Sequence, residues 1–162
     1  MIFAILGVTA LILGLLYAAI GNQWKKQQIA EILLLLIFLL PVGLGGLLGF
    51  VGHTLRAGAI ARSIGWPAGN PFQYEVASAN LAFGILGLLC WRHRGGFWTA
   101  TAVGWSIFLL GAAGVHLYQI RIGQPFTPGN AGAVLYFDIF MPVLVLALLQ
   151  IHRAKKEPRG TA

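Results

Sequence analysis

Acidic side chains are scarce in this sequence. Four Asp and Glu stand against eleven Lys and Arg, for a net charge of +7. Charged residues of either sign make up 9% of the 162 residues, against about a quarter in soluble domains, which excludes an ordinary water-facing surface. A lone cysteine, Cys90, excludes an intrachain disulfide and a CxxC motif. Long polar stretches are missing too, so there is no room for a separate soluble domain. The pI of about 10.2 would suit nucleic acid. Here, however, the basic residues flank apolar runs and form no stripe interleaved with exposed aromatics, which points to a bilayer and not to nucleic acid.

What fills the chain is apolar: 58% of the residues are hydrophobic. A bilayer-spanning helix needs roughly 20 such residues at about 1.5 Å each. Five stretches meet or approach that length, at about 2–20, 31–55, 71–91, 97–120 and 131–151. The expected fold is all-α: a single transmembrane domain over 1–162, built as a helical bundle of about five transmembrane helices. The opening "MIFAILG" lacks a positive n-region, and Lys25 and Lys26 follow the apolar run, so the first stretch reads as a retained span. Pro41 and Pro142 fall inside spans and predict kinks.

Basic residues divide unevenly between the span ends. Lys25, Lys26, Arg92, Arg94, Arg153, Lys155, Lys156 and Arg159 share one side; Arg56, Arg62 and Arg121 share the other. The richer side is expected to be cytoplasmic, which places the N-terminus outside and the C-terminus inside. Glu31 is expected to pair with Lys25 and Lys26. Trp24, Trp91 and Trp98 read as interface-belt residues, and Trp105, on nearly the same face as His116, as core or a pocket wall.

The stretch "IGWPAGNPFQYE" interrupts the apolar pattern on the poorer side. Trp66 suits an interface anchor. Asn70 is a good N-cap, Pro71 suits the first helical position, and Gln73 stands where it can close a capping box. A second loop, "PFTPGNAG", repeats the Gly-Asn pair before an apolar span. Working outward from these pairs, His53 and Arg56 end one span and His116 and Arg121 end another. Glu75 and Asp138 each follow their histidine by 22 residues. The parallel suggests a duplicated helical hairpin, spans two and three against spans four and five.

Ionisable groups inside spans are costly and invite a functional explanation. His53, Glu75, His116 and Asp138, carried by four helices to one membrane side, are the candidate metal ligands; two imidazoles and two carboxylates suit zinc, iron or manganese. His53 and His116 are also candidate axial ligands for a haem b, since small residues, Gly49 and Ala112, stand four positions before each. A small-ligand or quinone pocket is the third form of the site. Arg56, Asn80 and Arg121 would support it. The competing account is structural: Arg56 neutralises Glu75, Arg121 neutralises Asp138, and the histidines and Asn80 complete a hydrogen-bond network.

The segments "GLLGFVGHTLR", "IGWPAGNPFQYEVASANLAFGILGLL" and "PGNAGAVLYFDI" resemble a family of small, uncharacterised bacterial multi-pass membrane proteins, a domain of unknown function. The resemblance runs from about Val42 to Pro142. Its pattern includes positions matching His53, Glu75, Asn80, His116, Asn130 and Asp138, and it departs at "RAGAIARSIG", where an acid is expected near Ala57 or Gly58. It implies a bacterial inner-membrane location and about five spans, and no biochemical activity.

The expected function is therefore binding of a metal, haem or small ligand on the outer side. The alternatives are an accessory or scaffolding subunit, joined to other membrane subunits or to itself through glycine-rich faces, and a small-solute transporter. The charge asymmetry makes the first prediction: a reporter fused after Ala162 should be active only as a cytoplasmic reporter, and a periplasmic C-terminus would reverse the orientation.

Overall fold

The structure, a computed structural model, describes residues 2–21, 25–123 and 126–154. The expectations for Trp24, Lys155, Lys156 and Arg159 lie outside these residues. Among the described residues the fold is all-helical. Six helices follow in order: α1 (Ile2–Ile20), α2 (Lys26–Leu55), α3 (Ala57–Ile64), α4 (Phe72–Leu89), α5 (Gly96–Arg121) and α6 (Ala133–Arg153). Four of them, α1, α2, α5 and α6, are long and apolar enough to cross a membrane. The fifth expected span forms as α4, 18 residues long. Gln73, Glu75 and Asn80 make its first half polar, and it is held by packing against α2.

The two expected kink sites are absorbed inside continuous helices. Proline lacks the N–H that an α-helix needs and clashes with the preceding turn. In α2 the chain answers with a π-helical stretch, Phe38–Leu44, around Pro41, which widens the turn. Pro142 lies buried inside α6.

The tightest contact is between α2 and α4. Glycines recur every three residues on α2, at Gly43, Gly46 and Gly49, and α4 answers with Asn80, Gly84 and Gly87. A Cβ at Gly46 would stand 2.6 Å from the Asn80 carbonyl oxygen and 2.7 Å from the Gly84 Cα. One at Gly87 would stand 2.6 Å from the Phe38 carbonyl oxygen. Only hydrogen at these positions lets the backbones meet. In a bilayer, where burial of apolar surface gives no drive between helices, such close packing is what holds them.

The remaining core is aromatic and aliphatic. Phe38 meets Trp98 edge-on, with centroids 5.3 Å apart, and Trp105 meets Phe137 at 6.1 Å. Leu34, Ile37, Met141 and Val145 fill the space between α2 and α6. Trp105 is thus a core residue. Trp98 is buried as well, its indole N–H donating to the Cys90 carbonyl at 2.9 Å, which corrects its reading as an interface residue: the turn from α4 into α5 folds it inward. Trp91 stays exposed. Outward, α1 presents Ile5, Val8, Ile12, Leu15 and Leu16, a surface suited to lipid.

Cross-contacts show which helix ends lie together. Glu31 at the start of α2 reaches His152 at the end of α6, with Oε2 4.0 Å from Nδ1. Trp98 at the start of α5 touches both Cys90, after α4, and His152. This is the basic end. Glu31 therefore pairs across the bundle with His152, where a local pair with Lys25 and Lys26 was expected. The opposite end gathers the end of α2, α3, the starts of α4 and α6, and the end of α5.

The glycine seam makes the second prediction. Gly46→Ala should destabilise the purified protein by about 1–3 kcal/mol, the usual cost of overpacking, because the atoms it meets are backbone. At Gly52 a Cβ would meet nothing within 4 Å, so Gly52→Ala should be neutral or slightly stabilising. Thermal denaturation of the two variants in the same detergent checks the difference.

Candidate functional site

The end opposite the basic one is built from two loops that dock on each other. Helix α3 stops at Gly65, whose φ of 92° is left-handed and open to glycine at little cost. The Gly129 N–H then donates to the Ser63 carbonyl at 3.0 Å. A Cβ at Gly129 would stand 2.6 Å from that same oxygen, so the loop before α6 can lie against α3 only with glycine there. Trp66 follows the turn and packs on Phe72, centroids 5.5 Å apart.

Asn70 caps α4 as expected: its Oδ1 accepts from the Phe72 N–H at 2.9 Å. Gln73 does not close a capping box. Its side chain is buried, and its Oε1 lies 2.8 Å from His53 Nδ1. The physical reason is the packing stripe of α4. Gln73, Ala77, Asn80, Gly84 and Gly87 are the buried residues of that helix, spaced four, three, four and three apart, so Gln73 points at α2 rather than back at its own N-terminus.

A second pair has the same chemistry. His116 Nδ1 lies 2.8 Å from Asn130 Oδ1, both residues buried. An amide oxygen can only accept, so in both pairs Nδ1 carries the hydrogen and donates, and Nε2 is the ring nitrogen left for another partner. In the second pair that nitrogen faces Asp138, with Oδ2 at 3.9 Å. This is beyond hydrogen-bond length but close enough for an ion pair when the imidazole is protonated.

The structure divides the predicted site residues. His116 and Asp138 come together, with Asn130 behind them. His53 stands at the same end but bonds Gln73. Glu75 is exposed, off the buried stripe of α4. Asn80 is buried at the glycine seam, donating to the Val76 carbonyl at 2.9 Å. Arg56 and Arg121 are exposed, and among the described residues neither forms the expected ion pair with Glu75 or Asp138; histidine takes that place beside Asp138. No group of three or more His, Cys, Asp or Glu side chains is assembled to hold a metal among the described residues. The two hairpins are alike in their histidine–amide pairs and unlike in their acids. Asp138 is buried, Glu75 is not, and the first hairpin carries the extra helix α3.

Several polar atoms at this end are buried without a hydrogen-bond partner among the described residues: Trp66 Nε1, Gln73 Nε2, Asn130 Nδ2, Thr127 Oγ1 and Gln119 Oε1. The first three are N–H donors. The pairs His53–Gln73, Phe72–Trp66 and Asn130–His116 are joined by the docking of Gly129 on Ser63 and by the Asn130 N–H donating to the Thr127 carbonyl. Sequence reasoning missed Gln73 as a partner of His53, although its place on the stripe with Asn80, Gly84 and Gly87 was a usable signal. Asn130, Thr127 and Gln119 carry no such periodic mark.

The His116–Asn130 pair makes the third prediction. Asn130→Leu should cost about 1–3 kcal/mol by leaving a buried ring N–H without an acceptor. Adding His116→Phe should recover part of that loss, because the donor is removed with its partner. Because His116 also faces Asp138, the comparison is made with Asp138→Asn in both proteins. A variant carrying both changes that is then less stable than Asn130→Leu, read by thermal unfolding in detergent, would show that the pair is not a buried hydrogen bond.

Searches against curated proteins and against solved structures find no match. The sequence model of one family does match, over residues 1–158, which is nearly the whole chain and includes both histidine–amide pairs. The protein belongs to that family, the family of unknown function DUF6790.

Proposed function

We propose that this is a bacterial inner-membrane protein that binds a small, acceptor-bearing molecule, such as a carboxylate or a quinone carbonyl, at the end of the bundle holding His53 and His116. The observation that carries the reading is the set of unpartnered N–H donors there: Trp66 Nε1, Gln73 Nε2 and Asn130 Nδ2. A buried donor without an acceptor costs about 1–3 kcal/mol, and buried polar groups are as a rule satisfied by protein, water or ligand. Ligand oxygens accepting from these groups would recover that cost. The histidines complete the site, since each offers an Nε2 whose hydrogen-bonding character is set by its amide partner.

The basic-residue asymmetry supports placing this end outside, with the C-terminus in the cytoplasm. A metal or haem would use the same Nε2 atoms. In metal sites the other ring nitrogen is commonly held by an acceptor, as both are here, but the carboxylate share of that ligand set is reduced to Asp138. Scaffolding and solute transport rest on no comparable feature.

The fourth prediction tests the reading. The protein purified in mild detergent should show a raised melting temperature with a short-chain benzoquinone or with benzoate, and Gln73→Leu or Asn130→Leu should remove the shift. No shift with either probe would end the small-molecule reading. A stoichiometric metal or a haem spectrum, lost in both His53→Ala and His116→Ala, would replace it with the metal or haem form.

A further inference from the structure

The basic end holds a second feature that the histidine–amide site does not use. A cleft of about 170 Å³ opens between the start of α5 and the end of α6, lined by Gly95, Gly96, Trp98, Leu149, His152 and Arg153. Arg94 stands at its rim, with Cζ 4.5 Å from the Trp98 ring centroid. His152 packs on the same indole, centroids 5.5 Å apart. One guanidinium, that of Arg94, and the His152 imidazole thus lie against the Trp98 indole, and Arg153 lines the same cleft. One acid is near: Glu31 Oε2 lies 4.0 Å from His152 Nδ1, which leaves Nε2 of that ring. Arg153 forms no ion pair among the described residues.

We propose that this cleft binds a phosphate group in a molecule of net negative charge, so that a zwitterionic headgroup, whose ammonium the arginines repel, is disfavoured. Positive charge exceeds negative in it, and a guanidinium fork matches phosphate oxygens. Gly96, an exposed residue of the cleft lining, adds no side chain to block entry, and a Cβ there would meet nothing within 4 Å. The walls are apolar, Trp98 and Leu149, so the molecule that carries the phosphate can also carry hydrocarbon. The level is that of headgroups, since α6 ends at Arg153 and α5 begins at Gly96. Basic pockets between helices at that level are a known means of holding anionic lipids. A phospholipid headgroup and a free phosphate compound share the recognised chemistry, and the experiment separates them.

Full-length protein in detergent is titrated with phosphatidylglycerol or phosphatidylcholine and read by native mass spectrometry, with inorganic phosphate as competitor. Phosphatidylglycerol should be retained in preference. Arg153→Gln should weaken it by about fivefold, the usual effect of one basic side chain at an anionic surface, and Arg153→Lys should restore it. Gly96→Asp should abolish retention, while the nearly isosteric Gly96→Asn should keep it. Aspartate in the first turn of a helix is favourable, so a loss in Gly96→Asp reports charge in the cleft and not unfolding. Arg121→Gln, at the other end of the bundle, should change nothing. Competition by inorganic phosphate would support a site open to free phosphate compounds, and its absence a headgroup site. Equal retention of the two lipids, or equal loss in Gly96→Asp and Gly96→Asn, overturns the proposal.

Discussion

The backbone contact between α2 and α4 is the constraint on which the rest depends. Asn80, Gly84 and Gly87 lie against Gly43, Gly46 and Gly49 at separations that leave no room for a methyl group. A contact this close allows little sliding or rotation. It fixes the rotation of α4 about its own axis, and every later feature of that helix follows. Gln73 is turned toward His53, Glu75 is turned away, and the chain leaving Cys90 is delivered to Trp98. The π-helical turn around Pro41 belongs to the same contact, because Phe38 and Gly43 inside it face Gly87.

The second hairpin, α5 and α6, reaches a similar histidine–amide pairing by a different route. Its partner residue comes from the loop rather than from the helix, 14 residues after the histidine, where Gln73 comes 20 after His53. What the two share is chemical. A buried ring N–H needs an acceptor, and a side-chain amide supplies one without adding charge. That choice matters in a bilayer, where a carboxylate in the same place would bring a costly ion. Among the described residues the one carboxylate buried at this end, Asp138, lies beside the His116 imidazole.

The two ends of the bundle therefore differ in kind. One buries amides and His116 with a single carboxylate, Asp138, among the described residues, and has donors left over inside it. The other is cationic, with Arg94 and His152 against Trp98 and Arg153 beside them in the cleft. The docked loops over the first end and the open cleft at the second follow from the same glycine chemistry used differently. At Gly129 the missing side chain lets two backbones touch, and at Gly96 it leaves space.

Much of the architecture was legible in the sequence. Apolar runs of the right length with basic residues at their ends determine an all-helical membrane bundle whatever its tertiary detail, because an unpaired backbone is intolerable in lipid. The Asn70 cap was legible as well, since capping is a local interaction. The candidate site was legible only as a region. His53, His116 and Asp138 were found because ionisable groups stand out in apolar spans. Glu75 stood out equally and belongs elsewhere, since its face depends on how α4 is rotated. Gln73 looked like a cap because local geometry permits one, and the glycine seam overrode it. Arg56 and Arg121 are near the right residues in sequence, yet reaching Glu75 or Asp138 was a matter of which helices pack together. Sequence determined which chemistry enters the membrane and near which end; tertiary packing decided which groups meet, because helix rotation and loop docking are set by contacts between residues far apart in the chain.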